Sequence, residues 1–187
     1  NKYIIISNIF KQGELFMNKK IVLALLLIST LFLLTGCYNS ETTFIIDENG
    51  NTNIQFMAQA DQIMAGDEMN VAMWGLINSF PELEQNYEIT QRVETKNYSD
   101  YLIYEFESLG NYDINAMENI EFTRDGETYN FEMEIPPLVS EVNEDNKDDV
   151  VFKINVELPA EIDMANTSSY EGNKVSWNIT RENLVKG

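Results

Sequence analysis

The chain has 187 residues, with 31 acidic and 12 basic side chains, a net charge of −19, one cysteine and no histidine. That balance repels nucleic acid and argues against surfaces that track phosphate. Without histidine the chain lacks the commonest general base, metal ligand and pH switch, and a single cysteine leaves no intramolecular disulfide, so the fold rests on its hydrophobic core.

Residues 1–16 precede Met17. Lys11-Gln12-Gly13-Glu14 can be encoded by a purine-rich string similar to a ribosome-binding site, so this stretch reads as untranslated leader carried in frame, with a genuine N-terminal extension as the alternative. Residues 17–36 form a signal peptide: Met17-Asn18-Lys19-Lys20 is the positive start and Ile21 to Leu34 a 14-residue apolar run. A spanning helix needs roughly 20 apolar residues, so the run is a secretion signal and not a permanent membrane helix. Leu34-Thr35-Gly36-Cys37 resembles the lipobox of bacterial lipoproteins. The resemblance implies a diacylglyceryl thioether on Cys37 and cleavage between Gly36 and Cys37, which places the rest at the cell membrane, lipid-anchored on the extracytoplasmic face. Ahead of Cys37 lie four basic residues (Lys2, Lys11, Lys19, Lys20) and one acidic residue (Glu14), so their removal takes the net charge from −19 to −22. Only the acyl chains, at about 0.8 kcal/mol per buried methylene, overcome the repulsion of such a domain from anionic headgroups.

Residues 37–41 read as a lipidated tether and 42–187 as one domain. Thr42 to Asp47 and Thr52 to Ala58 form a hairpin around Glu48-Asn49-Gly50-Asn51, where Asn-Gly predicts a type I′ turn. Asp67 to Phe80 predicts an amphipathic helix with Met69, Ala72, Met73, Leu76, Ile77 and Phe80 buried, Asp67 and Glu68 at its N-terminal end, and Pro81 stopping it. Two-residue alternation then predicts strands over Tyr87 to Val93 (Tyr87, Ile89 and Val93 inward) and Tyr101 to Ser108 (Leu102, Tyr104 and Phe106 inward). Ile120 to Arg124 and Thr128 to Ile135 form a hairpin around Asp125-Gly126. An acidic loop from Glu141 to Asp149 leads to Val150 to Leu158 and finally Lys174 to Ile179. The end at Leu184-Val185-Lys186-Gly187 has no polar tail and suggests a truncated C-terminus lacking a final strand. Such alternation around one helix gives an α+β fold: a twisted antiparallel β-sheet with one main amphipathic helix packed on its apolar face.

Several segments together resemble LppM-like lipoprotein domains. They are the lipobox, the hairpin Thr43 to Gly50, the strand Tyr101 to Leu109, Val156-Glu157-Leu158-Pro159-Ala160-Glu161-Ile162, and Gly172 to Ile179. The resemblance spans most of the chain after Cys37. It implies an envelope lipoprotein whose α+β domain binds a lipid or glycolipid, and it carries over no active-site residues.

Among individual residues, Cys37 is the lipid attachment site, with cleavage at the Gly36–Cys37 bond. Trp74 and Val71 point away from the buried helix face, either under a loop or as an exposed ligand or partner contact. Met57, Met64, Met69 and Met73 are adaptable apolar residues that line a pocket or fill the core. Glu105 with Glu107, and Glu132 with Glu134, lie two apart on strands, about 6.6 Å at 3.3 Å per residue, near the separation of inverting glycosidases. A solvated acidic face is the better reading, since nothing around either pair suggests the apolar pocket that would raise one pKa. Asp47-Glu48-Asn49-Gly50-Asn51 reads as a turn and not a calcium loop, since the twelfth position from Asp47 is Ala58 instead of Glu. The acidic run of Glu141, Glu144, Asp145, Asp148 and Asp149 reads as a solvated loop. The expectation is a non-enzymatic binding module with no cofactor and no metal. Its partners are the membrane, through the diacylglyceryl anchor, and a lipid, glycolipid or envelope protein, with no nucleic acid. The alternatives are a carboxylate-dependent carbohydrate hydrolase and a passive surface component.

Overall fold

The computed structural model describes residues 38–117, 119–135, 144–167 and 169–186; the signal peptide, Gly36, Cys37 and Glu141 lie outside them. Two strands open the structure, β1 (Tyr38–Ile46) and β2 (Asn51–Asp61). The residues read as a tether are thus strand from Tyr38 onward, and Ser40 is buried. The turn between them is not type I′: Asn49 keeps a negative φ and only Gly50 is left-handed, at 81°. Asp47 organises a three-residue loop instead. Its carboxylate accepts from the Asn49 and Asn51 backbone N–H at 2.8 and 2.9 Å, and its own N–H donates to the Asn51 carbonyl at 2.8 Å.

Strand β2 runs into helix α1 (Gln62–Ser79) with no loop between. Asp61 ends the strand and caps the helix, its carboxylate accepting from the Ile63 and Met64 N–H at 3.0 and 3.1 Å. The helix therefore starts five residues earlier than its apolar spacing indicates, and Asp67 and Glu68 sit beyond its first turn. Phe80 closes it by donating its N–H to the Leu76 carbonyl, and Pro81 begins the short helix α2 (Glu82–Asn86). Strands β3 (Tyr87–Lys96), β4 (Ser99–Ser108) and β5 (Tyr112–Asp113) follow, then a separate hairpin of β6 (Ile120–Asp125) and β7 (Thr128–Met133). The rest is β8 (Val150–Glu157), β9 (Tyr170–Glu171), β10 (Lys174–Thr180) and helix α3 (Arg181–Lys186), which buries Leu184.

The main sheet has the order β3-β4-β2-β1-β8-β10-β9, with β5 beside β2. It is antiparallel except where β1 pairs in parallel with β8, Thr42 opposite Ile154 and Phe44 opposite Val156. The fold is thus α+β, mostly antiparallel with one long helix, and it differs from a single antiparallel sheet by this parallel pair and the detached hairpin. Alternation puts Ile54, Phe56, Ala58 and Ala60 of β2, Leu102, Tyr104 and Phe106 of β4, and Ile154 and Val156 of β8 into one core. Helix α1 adds Met69, Met73, Leu76 and Ile77. Val93, expected to face inward, is about half exposed on the edge strand β3, as is Val150 at the start of β8. Ile103 departs in the opposite sense, fully buried although Leu102 and Tyr104 on either side face the core; its register neighbours are Gln59 and Arg92.

The type I′ pattern occurs elsewhere. Asn97 and Tyr98 join β3 to β4 with φ of 52° and 69°, between the paired residues Lys96 and Ser99. A bulky tyrosine held left-handed costs about 1 kcal/mol relative to glycine. Tyr98→Gly is expected to stabilise the domain by about that amount, read as a higher urea midpoint at unchanged m-value; a lower midpoint contradicts it.

Candidate functional site

The exposed indole of Trp74 stands at the mouth of a groove of about 330 Å³ between α1 and the edge strand β3. Trp74 and Ile77 come from α1, Glu84 from α2, Tyr87, Ile89 and Gln91 from β3, and Tyr104 from β4. Trp74 is 54 % exposed, and no loop among the described residues covers it. Val71 is also exposed but falls outside the groove lining, on the outer face of the helix with Ile63 and Met64. This second apolar stripe on α1 is a feature the reading of the helix as one-sided did not contain.

Polar groups fix the groove. The Tyr104 hydroxyl donates to Asn70 Oδ1 at 2.6 Å, and Gln91 Nε2 donates to the same oxygen at 3.0 Å, so one asparagine in the apolar helix joins it to two strands. Tyr87 is different. It is 2 % exposed and stacks on Tyr112 at 6.5 Å, yet among the described residues its hydroxyl has no hydrogen-bond partner. Burial, reinforced by Tyr112, pushes its pKa well above that of a free phenol, so the hydroxyl stays neutral and can donate. An unpaired buried hydroxyl costs about 1–3 kcal/mol, which makes it the least expected group in the wall. Alternation marks Tyr87 as inward-facing, but no sequence pattern shows whether its hydroxyl is paired.

The methionines do not converge. Met69 and Met73 are fully buried core, Met64 is exposed, and Met57 lies on the opposite face of the sheet. There it lines a second concavity, of about 360 Å³, with Glu41, Glu88, Glu105 and Glu107. These carboxylates make it repulsive to anionic groups. Glu105 is tied to the Arg92 guanidinium, at 2.9 Å from Nη2 and 3.3 Å from Nε, and Glu94 meets Nη1 at 2.6 Å. Hydrogen bonding from Arg92 holds both carboxyls below the usual glutamate range. A general acid needs the opposite shift, so Glu105 is poorly placed as a proton donor. Glu132 and Glu134 belong to the detached β6–β7 hairpin and its exit.

The proposed turn at Asp47 is a closed network. Its carboxylate also accepts from Asn51 Nδ2 at 2.9 Å, and that bond leads the causes holding its pKa below the ordinary aspartate value. In the acidic loop, Lys147 pairs with Glu144 at 2.8 Å. Among the described residues no group of three or more Cys, Asp or Glu is arranged to hold a metal ion, and no helix is long and apolar enough to cross a membrane.

Because the folded-state pKa values of Glu94 and Glu105 are depressed, their bonds to Arg92 stabilise the fold above the ordinary glutamate pKa. That contribution disappears as pH falls through the depressed values. Side-chain carboxyl NMR is expected to show Glu105 titrating below an ordinary glutamate, and Arg92→Gln to move it back up; an unchanged midpoint contradicts the assignment.

No curated protein and no solved structure matches the chain. A family model described as the LppM domain matches residues 78–185, more than half of the sequence. The matched stretch runs from the last turn of α1 to α3, so the groove walls on α2, β3 and β4 lie inside it, while Trp74 and the β1–β2 hairpin precede it. The match is narrower than the resemblance read from the sequence, which included that hairpin. The chain belongs to the LppM domain family of lipoprotein domains.

Proposed function

We propose that the chain is a membrane-anchored cell-envelope lipoprotein, held by diacylglyceryl-modified Cys37 after cleavage behind Gly36, with a non-enzymatic domain that binds a lipid or glycolipid. The signal pattern at Met17 to Cys37 and the LppM domain support the address. One observation carries the binding reading: a groove lined by Ile77, Ile89, Tyr87 and Tyr104 opens beside an exposed tryptophan, and the Tyr87 in its wall keeps an unpaired buried hydroxyl. Apolar walls with few polar groups suit a ligand that is mostly hydrocarbon with a hydrogen-bond acceptor near one end. The groove is short, so it receives part of an acyl chain or a headgroup edge. Catalysis by the glutamates finds no support in the state of Glu105.

Two sets of variants test this reading. Cys37→Ala is expected to leave the protein unprocessed or to release it from the membrane fraction; continued cleavage and retention would sink the anchor. In native mass spectrometry of Cys37→Ala protein with an envelope lipid extract, Trp74→Ala is expected to weaken lipid capture about tenfold, or 1.4 kcal/mol. Its effect on stability should stay within about 0.5 kcal/mol, since the indole is half exposed. Tyr87→Phe is expected to raise thermal stability by removing the unpaired hydroxyl while weakening capture. Undiminished capture by both groove variants contradicts the assignment.

A further inference from the structure

We propose that one end of the main sheet rests directly on the bilayer, with apolar side chains from four elements seated among the lipid headgroups. The inference rests on the anchor at Cys37 proposed above and adds the orientation of the domain. Strand β1 begins at Tyr38, the residue after Cys37, so no flexible spacer separates the sheet from the attachment point. Consecutive Cα atoms are about 3.8 Å apart. A domain whose first strand starts one residue from an acylated cysteine cannot stand off from the membrane.

The register shows what surrounds that point. Tyr38 pairs with Ala60, Ala60 with Leu102, and Leu102 with Val93. Val150 lies three residues before Lys153, as Tyr38 lies three before its parallel partner Glu41. Ile63 and Met64 follow Ala60 in the first turn of α1, and Tyr98 occupies the β3–β4 turn just past the Lys96–Ser99 pair. Ile63, Met64, Val93, Tyr98 and Val150 are all exposed, Ile63 by 91 % and Tyr98 completely. They form half of the large exposed apolar side chains among the described residues and converge on the end where the chain emerges from Cys37.

Two further observations favour a bilayer over another protein as occupant. Tyr98 holds a left-handed backbone position that glycine would occupy at lower cost, with its ring entirely in solvent, so folding does not explain a tyrosine here. Tyrosine, with an apolar ring and a polar tip, suits the headgroup zone. The carboxylates of this end on β2, β3 and β4 are also occupied: Asp61 caps α1, Glu94 binds Arg92 and Lys96, and Asp100 accepts from the Thr95 hydroxyl. Beside Val150, Asp148 and Asp149 are exposed, with Arg181 3.8 Å from Asp149 and Lys147 paired with Glu144. Such engagement lowers the repulsion that the domain's net charge otherwise sets against anionic lipid.

The test uses the full chain, produced with lipoprotein processing and reconstituted into phosphatidylethanolamine–phosphatidylglycerol vesicles containing nitroxide-headgroup lipid. Thioether formation blocks Cys37, so single cysteines introduced as Met64→Cys, Tyr98→Cys or Glu48→Cys carry the only fluorophore. Glu48, in the opposite hairpin tip, is the reference. Quenching is expected to be at least threefold stronger at 64 and 98 than at 48. In the Tyr98→Gly background, quenching at 64 should fall while circular dichroism and thermal stability show an intact fold. Equal quenching at both ends, with the protein floating with vesicles and Cys37 blocked, overturns the orientation and leaves the anchor standing. A chain that stays off the vesicles and takes label at Cys37 overturns the anchor, and the orientation with it.

Discussion

The parallel pairing of β1 with β8 is the constraint on which the rest of the structure depends. It sets residues near the start of the described chain beside residues more than one hundred positions later, Thr42 opposite Ile154. Without it the sheet would separate into β3-β4-β2-β1 and β8-β10-β9, each with an uncovered apolar edge. Side chains reinforce the seam on the polar face, where Asn155 donates to the Thr43 hydroxyl and accepts from that of Ser176. Such long-range pairing pays its loop-closure entropy before its contacts form, so the two halves of the sheet are expected to join late in folding.

The groove is a by-product of how α1 leaves the sheet. Because Asp61 starts the helix without a loop, α1 crosses β2 and β4 and does not cover the edge strand β3 over its length. The uncovered interval is floored by β3 and β4 and flanked by Trp74. Asn70 holds the two sides at fixed separation through Tyr104 and Gln91. A ligand meeting these walls would find them preorganised, which limits the ordering cost of binding. Tyr87 fits the same view, since its hydroxyl is desolvated before any ligand arrives.

Much of the architecture was legible because one-sided burial writes a period into the sequence. β2, β4, β8 and the buried face of α1 were readable in this way, as was the outward direction of Trp74. The misses have physical causes. Alternation encodes which face is buried and says nothing about strand direction, so the parallel β1–β8 pair was invisible. Asn49-Gly50 looked like a two-residue turn, but Asp47 offered the backbone a more fully bonded loop, while the true left-handed pair contains a tyrosine. Helix α1 began earlier because its first turn, with Ile63 and Met64 exposed, breaks the apolar spacing. The indole was readable as a candidate contact; the cradle of Asn70, Gln91 and Tyr87 depends on which side chains meet in three dimensions.

Strand β3 also ends the sheet, and among the described residues its outer hydrogen-bonding edge has no neighbouring strand. The row Glu88, Thr90, Arg92, Glu94 and Lys96 decorates one face of that edge with charges of both signs. A second copy approaching in strand register would bury or misalign those charges, which discourages sheet-to-sheet fusion between neighbours. For a domain tethered at a surface, where encounters would be frequent and orientations restricted, that protection would leave the groove side unobstructed.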